Sequence, residues 1–211
     1  MKNDSAFILM ADIINSREFL PEPLMNNFRE LSSEISVAFK SNFISPITIT
    51  LGDEFQCVVK SEKAGIEVIL AFEEQIIKLG FNFVLRFVLL QGKIETEINS
   101  KVAQGMLGEG FIEARHALQE LKRTDNRYFI KLSNPAYKSL EPVLQIYQYF
   151  KDRWDVTKDY PIVAKFLQNL DYGEVAKVLD MNPSQVWKRK KTFKINQYFQ
   201  IKRAILLLLQ P

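Results

Sequence analysis

Reactive residues are scarce in this sequence. Its 211 residues include one cysteine, Cys57, and one histidine, His116. A single cysteine excludes a disulfide framework within the chain and a zinc site built on several cysteines. The histidine lies in a predicted amphipathic helix, where a surface or packed role is more usual than that of a base, and the sequence does not indicate a Ser–His–Asp or Cys–His arrangement. Disulfide-stapled scaffolds, zinc domains and the familiar hydrolase triads are therefore not indicated.

Long apolar runs and export signals are also missing. The longest apolar run, residues 204–209, is far too short to cross a bilayer. The N-terminus does not show the basic segment followed by an apolar one that marks a secretory signal. With 47% apolar and 25% charged residues, the composition is that of an ordinary soluble globular protein. We expect a cytoplasmic protein that makes no membrane contact.

The net charge of +3 is small, but it is unevenly distributed. Residues 171–211 contain eight lysines and arginines against three aspartates and glutamates, so the rest of the chain is slightly acidic. The length is sufficient for one medium domain and one small domain. We therefore predict a main domain at residues 1–143 and a basic helical domain at residues 144–211.

Residues 47–59 predict a β-hairpin that carries acidic side chains. Residues 47–51 alternate apolar and polar, and residues 55–59 form a second strand-like run. Gly52 and Asp53 suit the turn between the two strands. Such a hairpin places Asp53 and Glu54 at the edge of a sheet, where carboxylates can meet a cation. The alternative is that these residues serve only as a turn.

Asp12 is a second acidic site, directly after the apolar run of residues 7–11. An aspartate at the end of such a strand is unexpected in a plain core. If the two strands are neighbours, Asp12 and Asp53 converge, and converging carboxylates repel unless a proton or a cation lies between them. A hard cation such as Mg²⁺ or Mn²⁺, which also binds substrate phosphates, accounts for the pair. The alternative for Asp12 alone is a helix N-cap.

Apolar periodicity divides the main domain into strands and helices. We expect the order β, α, β-hairpin, α, β, β, α, β, at residues 6–14, 24–40, 47–59, 61–80, 81–90, 94–99, 111–118 and 127–132. Pro21 and Pro23 should keep the segment before the first helix non-helical. Ser61 and Gly80 suit the two caps of the second helix. This order predicts an α+β sandwich of the ferredoxin-like palm type, a mixed sheet with helices on one face.

Two further features of this domain can meet phosphate. Arg86 interrupts the apolar strand at residues 81–90, and it is either salt-bridged or a cation near phosphates. Residues 105–110 form a glycine-rich loop before a helix, and N–H groups at a helix N-terminus attract phosphate, so Gly108 and Gly110 are candidates. The Gly-Lys-Ser/Thr ending of a Walker loop is absent. The alternative is a tight connection.

Residues 171–191 resemble a helix-turn-helix. Ala176 is the small residue that the first helix needs, Val175, Leu179 and Val186 form a small core, and Asp180 replaces the usual turn glycine. The second helix presents side chains that can meet phosphates and base edges in a major groove, namely Ser184, Gln185, Trp187, Lys188, Arg189, Lys190 and Lys191. We predict DNA binding as a homodimer, because one copy neutralises few phosphates. The alternative is a packing domain whose basic face is merely solvated.

Several motifs together resemble the SatD family of bacterial proteins along nearly the whole chain. They are Ala-Asp-Ile-x-x-Ser-Arg from Ala11, Leu-Gly-Asp-Glu-Phe-Gln from Leu51, an arginine-containing strand that ends in Gly92, and a glycine-rich loop that leads to Ala114 and Arg115. More remotely, the order of elements is similar to the palm domain of class III nucleotide cyclases and diguanylate cyclases.

The resemblance to the cyclases implies roles for individual residues. Asp12 and Asp53 match the aspartates that hold two Mg²⁺ ions in those enzymes, and Glu54 adjoins them. The cyclase helix that meets the triphosphate carries an Asn and an Arg; Arg115 fits the Arg, whereas Ile112 and Glu113 fill the region of the Asn. The candidate nucleotide contacts are Ser16, Arg17, Arg86, Gly108, Gly110 and Arg115.

Three functions stay open at this point. The first, which we predict, is a regulator of transcription in which a palm domain binds a nucleotide through a metal ion and a helix-turn-helix binds DNA. The second is an active nucleotidyl cyclase or nucleotidyltransferase that uses two Mg²⁺ ions; the missing Asn counts against it. The third is a degenerate palm that serves only as a dimerisation scaffold.

Overall fold

The computed structural model describes residues 5–210, apart from the side chain of Ala136. Five strands form one sheet in the order β2-β3-β1-β4-β5. Numbered along the chain, they span Ala6–Ile13, Phe43–Ile49, Glu54–Val59, Leu85–Gly92 and Tyr128–Lys131. Neighbouring strands are antiparallel, except for the parallel pair β4 and β5. Strand β1 therefore lies at the centre of the sheet.

The first four strands and two helices have ferredoxin-like topology. Helix α1 (Pro21–Ala38) connects β1 to β2, and α2 (Glu62–Leu79) connects β3 to β4. This β-α-β-β-α-β unit is the split βαβ arrangement. Helix α3 (Glu109–Leu121) then leads to β5, which extends the sheet beside β4. The predicted α+β class with a ferredoxin-like palm is confirmed.

Helices cover both faces of the sheet, which corrects the prediction that they share one face. Helices α1 and α2 pack over Leu9 and Ala11 of β1. Helix α3 packs over Ile8 and Met10 on the opposite face, because alternate residues of a strand point to opposite sides. A central strand that is apolar on both sides needs cover on both sides, and α3 provides the second cover.

Two local predictions are wrong. Helix α1 begins at Pro21, before the residues expected to start it. Proline is accepted in the first turn because the N–H that it lacks has no partner there. Residues 94–99 form a loop and not an edge strand. The N–H of Glu95 donates to the carbonyl of Leu107 at 2.8 Å, so this loop closes on itself and not on the sheet.

The predicted caps of α2 are confirmed. The hydroxyl of Ser61 accepts a hydrogen bond from the N–H of Ala64 at 3.1 Å, as an N-cap side chain does. Gly80 follows the last turn with a φ of 67°, a left-handed conformation that costs glycine little. Both ends of this helix are therefore determined by local chemistry.

Five helices follow the sheet. They are α4 (Leu140–Lys151), α5 (Tyr160–Phe166), α6 (Tyr172–Val178), α7 (Pro183–Thr192) and α8 (Ile195–Leu207). The predicted boundary between residues 143 and 144 falls inside α4. The apolar core under α2 continues through α4 and α8, and two ion pairs, Glu73 with Lys151 and Glu74 with Lys202, link α2 to these helices. Within residues 5–210, no helix has the length and apolarity to cross a membrane.

Candidate functional site

Three charged residues form a row across the central strands. Asp12 of β1 lies directly opposite Glu54 of β3 and Arg86 of β4, so all three side chains leave the same face of the sheet. This is the face that α3 covers. All three residues are buried, with 3%, 4% and 9% of their surface exposed. Buried charges require partners, which the surrounding elements supply.

Both carboxylate oxygens of Asp12 are paired with cations. Its Oδ1 lies 2.9 Å from Nε of Arg86, and its Oδ2 lies 3.0 Å from Nζ of Lys122. Lys122 follows the last residue of α3, and sequence reasoning did not identify it. The available signal is its spacing: Lys122 stands seven residues after Arg115, two helical turns along the same side of α3. Of the two roles predicted for Arg86, the structure therefore shows the salt bridge, which it forms with Asp12.

Glu54 is less well satisfied than Asp12. Its Oε1 is buried without a hydrogen-bond partner, and Nη2 of Arg115 is 3.6 Å away. Burial raises the pKa of Glu54 above its ordinary value of 4.5; Arg115 opposes this shift, and the charges of Asp12 and Asp53 add to it. A buried carboxylate oxygen beside two other acidic groups is the arrangement that a cation stabilises.

Asp53 lies in the turn and is tied to the end of β1. Its carbonyl accepts a hydrogen bond from the N–H of Ile13 at 2.9 Å, and its Oδ2 accepts one from the hydroxyl of Ser16 at 2.5 Å. Ser16 and the exposed Arg17 share the short 3-10 helix Ser16–Glu18. The structure therefore brings the predicted acidic turn to the end of the predicted acidic strand.

Gly108 and Gly110 lie at the other end of the sheet. A Cβ at Gly110 would stand 2.9 Å from the backbone of Gly92, which is opposite Ala6 on β1. Asp12 lies six residue steps along β1 from Ala6, about 20 Å at the usual strand rise. The N–H of Gly110 donates to the carbonyl of Lys93 at 3.0 Å. These glycines allow α3 to approach the sheet closely.

A cavity of about 860 Å³ opens beside Arg115. It lies between the β2–β3 turn, the loop 93–108 and the start of α3, and Gly108 also lines it. Leu51, Leu107 and Ile112 present exposed apolar surface there. Its volume is in the range of small-molecule sites, roughly 300–1,000 Å³. Arg115 thus stands between this cavity and the acidic row.

The arrangement of the acidic residues does not itself form a metal centre. Within residues 5–210, no group of three histidine, cysteine, aspartate or glutamate side chains is placed to hold a metal ion. The carboxylates of Asp12 and Glu54 are paired with the cationic side chains of Arg86, Lys122 and Arg115. A cation could therefore bind only in exchange for some of these side chains. The oxygen-only donors suit a hard cation such as Mg²⁺ or Mn²⁺.

The C-terminal pair α6 and α7 has the local chemistry of a helix-turn-helix. Asp171 and Glu174 form a capping box at the start of α6. Asp180 in the turn has a φ of 50°, the left-handed conformation for which glycine is usual. The side chain of Asn182 accepts from the N–H of Ser184 at 2.9 Å and caps α7.

The predicted DNA contacts do not share one face of α7. Ser184, Gln185, Lys188 and Lys191 are exposed, and Trp187 is 43% exposed. Arg189 is also exposed but lies 3.5 Å from Asp159, and the half-buried Lys190 stands over the ring of Phe166 at 5.6 Å. Positions 184, 187, 188 and 191 have the three- and four-residue spacing of a single helical face, so these four exposed donors form one accessible face of α7.

The chain is similar to one protein family in sequence and to several solved proteins in structure. The sequence matches the model of the SatD family over residues 6–209. No curated protein matches the chain. Similar solved structures include a bacterial light-regulated adenylyl cyclase, with a TM-score of 0.44 and 16% identity over 60% of this chain and 42% of that one. They also include the guanylyl cyclase Cya2, with a TM-score of 0.39 and 15% identity over 60% and 74%. The chain spans less than half the length of the adenylyl cyclase.

Proposed function

The chain belongs to the SatD family, and we propose that it is a ligand-responsive DNA-binding protein whose sheet domain binds a nucleotide through Mg²⁺ or Mn²⁺. The observation that carries the proposal is Oε1 of Glu54, a buried oxygen without a hydrogen-bond partner, next to the carboxylates of Asp12 and Asp53. A buried carboxylate without full compensation is costly. A divalent cation removes that cost and draws phosphate to the same place.

Two long cationic side chains can give way to such an ion. The side chains of Lys122 and Arg115 are 39% and 53% exposed, so both can turn into solvent. Arg86, by contrast, is fixed in β4 and keeps Asp12 in place. When bound, the cation would neutralise phosphate charge. Asp12, Asp53 and Glu54 would supply its oxygen ligands, and Ser16 would orient Asp53 through its hydrogen bond.

The released Arg115 would then serve the nucleotide. Its guanidinium borders the cavity, and arginine binds phosphate oxygens through paired hydrogen bonds. The apolar wall of Leu51, Leu107 and Ile112 would accept the base or the sugar. The position of Ile112 and Glu113 on α3, where the cyclases carry an Asn, favours binding over turnover. The proposed role of this domain is therefore that of a sensor.

Calorimetric titration of Mn²⁺ with ATP or GTP tests the cation site. Asp53→Asn keeps the size of the side chain but removes its charge, and it should weaken Mn²⁺-dependent binding by about 10–100-fold or more. Lys122→Met should have the opposite effect, tighter Mn²⁺ binding, because it removes the ammonium that competes for Asp12. Glu30→Gln is the matched control: it removes one exposed negative charge from α1, on the other face of the sheet.

Two results would contradict this proposal. One is the absence of saturable heat with either triphosphate in the wild-type chain. The other is an unchanged affinity in Asp53→Asn. Incubation of the same samples followed by chromatography of the nucleotides distinguishes a sensor from an enzyme, since conversion of ATP or GTP that disappears in Asp53→Asn would establish a nucleotidyl cyclase or nucleotidyltransferase.

Duplex DNA is the proposed partner of the C-terminal helices. The supporting observation is the capped pair α6 and α7 with its left-handed turn and the exposed donors of α7. A homodimer would place two such helices on one duplex and double the phosphate contacts.

The salt dependence of duplex binding tests this contact. Lys188→Ala should reduce the slope of log affinity against log salt by about one, because one phosphate contact is lost. Lys177→Ala on α6 is the matched control, an exposed lysine outside the α7 face, and its slope should equal that of the wild type. If the slope of Lys188→Ala equals that of the wild type and of Lys177→Ala, Lys188 does not contact the DNA.

A further inference from the structure

A cleft of about 450 Å³ lies between α6, α7 and the start of α8. Lys190, Lys191 and Lys194 line it together with Trp187 and Tyr172. The amides of Asn196 and Gln197 complete the lining. Every one of these side chains carries an N–H or O–H donor, and no aspartate or glutamate is among them. The cleft therefore combines three positive charges with a full set of donors.

Such a lining selects an anion rich in acceptor oxygens. Lysine, tyrosine and amide side chains are the groups that bind nucleic-acid phosphates in protein–DNA interfaces. A metal ion or a cationic ligand would be repelled. Asn196 and Gln197 also belong to the first turn of α8, where backbone N–H groups lack partners within the helix. The chemistry of the cleft thus fits a phosphate or phosphodiester group.

The cleft is continuous with the accessible face of α7. Trp187 and Lys191 belong to both, and Nζ of Lys191 stands 3.7 Å from the centre of the Trp187 ring. Trp187 and Tyr172 are each 43% exposed, so the mouth of the cleft is open. If a strand of nucleic acid lies along Ser184 and Lys188, its sugar-phosphate backbone therefore runs past the mouth of the cleft.

We propose that this cleft holds a backbone phosphate of the nucleic acid that α7 contacts, with Lys194 as its decisive ligand. The proposal rests on the proposed DNA contact and extends it from one helix to the junction of three. Lys194 is exposed and has a left-handed backbone, with a φ of 56°. This conformation directs the chain from α7 into α8 and brings both helices to the same cleft.

Intrinsic fluorescence of the full chain can report on the cleft directly. The described part of the chain contains two tryptophans, and Trp154 is buried and donates to the carbonyl of Phe193 at 3.1 Å. The difference between the wild type and Trp187→Phe therefore isolates the signal of Trp187. The three probes are pyrophosphate, a duplex oligonucleotide and vesicles containing phosphatidylserine.

The expected result is a saturable change of the Trp187 signal with pyrophosphate and with the duplex. Lys194→Ala should lose most of the pyrophosphate response and lower the salt slope of duplex binding by about one. Lys188→Ala should lower the duplex slope but leave the pyrophosphate response unchanged, since Lys188 lies outside the cleft. Lys177→Ala should change neither measurement.

Each other outcome overturns a defined part of the proposal. If Lys194→Ala changes neither probe while Lys188→Ala still lowers the duplex slope, the cleft is not a phosphate site and the DNA contact stands. If pyrophosphate binds through Lys194 but the duplex does not bind, the cleft is an anion site unrelated to DNA. A Lys194-dependent response to the vesicles alone would assign it to lipid headgroups.

Discussion

Replacing Glu73 with glutamine should lower the free energy of unfolding by about 3–5 kcal/mol. Glu73 is fully buried in α2 and faces two buried cations. Its Oε1 lies 2.8 Å from Nη1 of Arg127 and accepts from the hydroxyl of Tyr128 at 3.0 Å, and its Oε2 is paired with Lys151. A neutral amide would leave the buried Lys151 without its ion-pair partner and Arg127 with Asp152 alone, 2.7 Å from its Nη2. Removal of one partner of a buried pair costs far more than the intact pair contributes.

Urea denaturation of the two proteins measures this difference. Glu120→Gln is the matched control, because Glu120 pairs with Arg123 on the surface and exposed pairs contribute about 0–1 kcal/mol. If the free energy of unfolding falls by the same amount in both variants, the buried cluster stabilises the fold no more than the surface pair does. The cluster also joins α2, the start of β5 and the end of α4, so its loss should loosen the attachment of the C-terminal helices.

The pH dependence of the same difference gives an independent check. Burial alone would raise the pKa of Glu73, but Arg127 and Lys151 outweigh it and hold the pKa below the ordinary value of 4.5. A carboxylate with a lowered pKa stabilises the folded state above its unfolded pKa and loses that contribution as the pH falls. The gap between the wild type and Glu73→Gln should therefore be complete above pH 4.5 and shrink below it. A gap that stayed constant into acid would contradict the assignment.

Replacing Arg86 with leucine should cost about 3 kcal/mol, the lower end of the range for a broken buried pair. Arg86 is the one charged residue of β4 (Leu85–Gly92), and it neutralises the buried Asp12. Lys122 still contacts the other oxygen of Asp12 in this variant, which limits the loss. Lys122→Met is the matched comparison on the same carboxylate. Its cost should be below about 1 kcal/mol, because the Lys122 side chain is 39% exposed and Arg86 still neutralises Asp12.

A double replacement separates the structural role of this pair from its proposed function. Arg86→Leu combined with Asp12→Leu should recover most of the stability, since apolar residues of similar volume often replace a buried pair at little cost. It should nevertheless abolish Mn²⁺-dependent nucleotide binding, because a proposed cation ligand is gone. Recovery of stability with intact binding would exclude Asp12 from the cation site.

The sequence by itself determined the elements whose causes are local. Alternating apolar residues and a Gly-Asp turn specify the hairpin, although β2 begins earlier than predicted, at Phe43. Ser61 and Gly80 specify the ends of α2. Periodicity specifies the order of strands and helices except at residues 94–99, which form a loop. That order is sufficient for the ferredoxin-like topology. The start of α1 was missed because proline has opposite effects in the first turn of a helix and in its interior.

Only the tertiary structure decided which charges meet. The strand register places Asp12 between Glu54 and Arg86, and a pairing shifted by one residue would have put the partners on opposite faces. The packing of α3 on the second face brings Lys122 and Arg115 to that row, whereas Gly108 and Gly110 are carried to the far end of the sheet. Arg189 turns to Asp159 because of the position of α5 beside α7. These contacts join residues distant in the chain, and no short-range pattern of the sequence contains them.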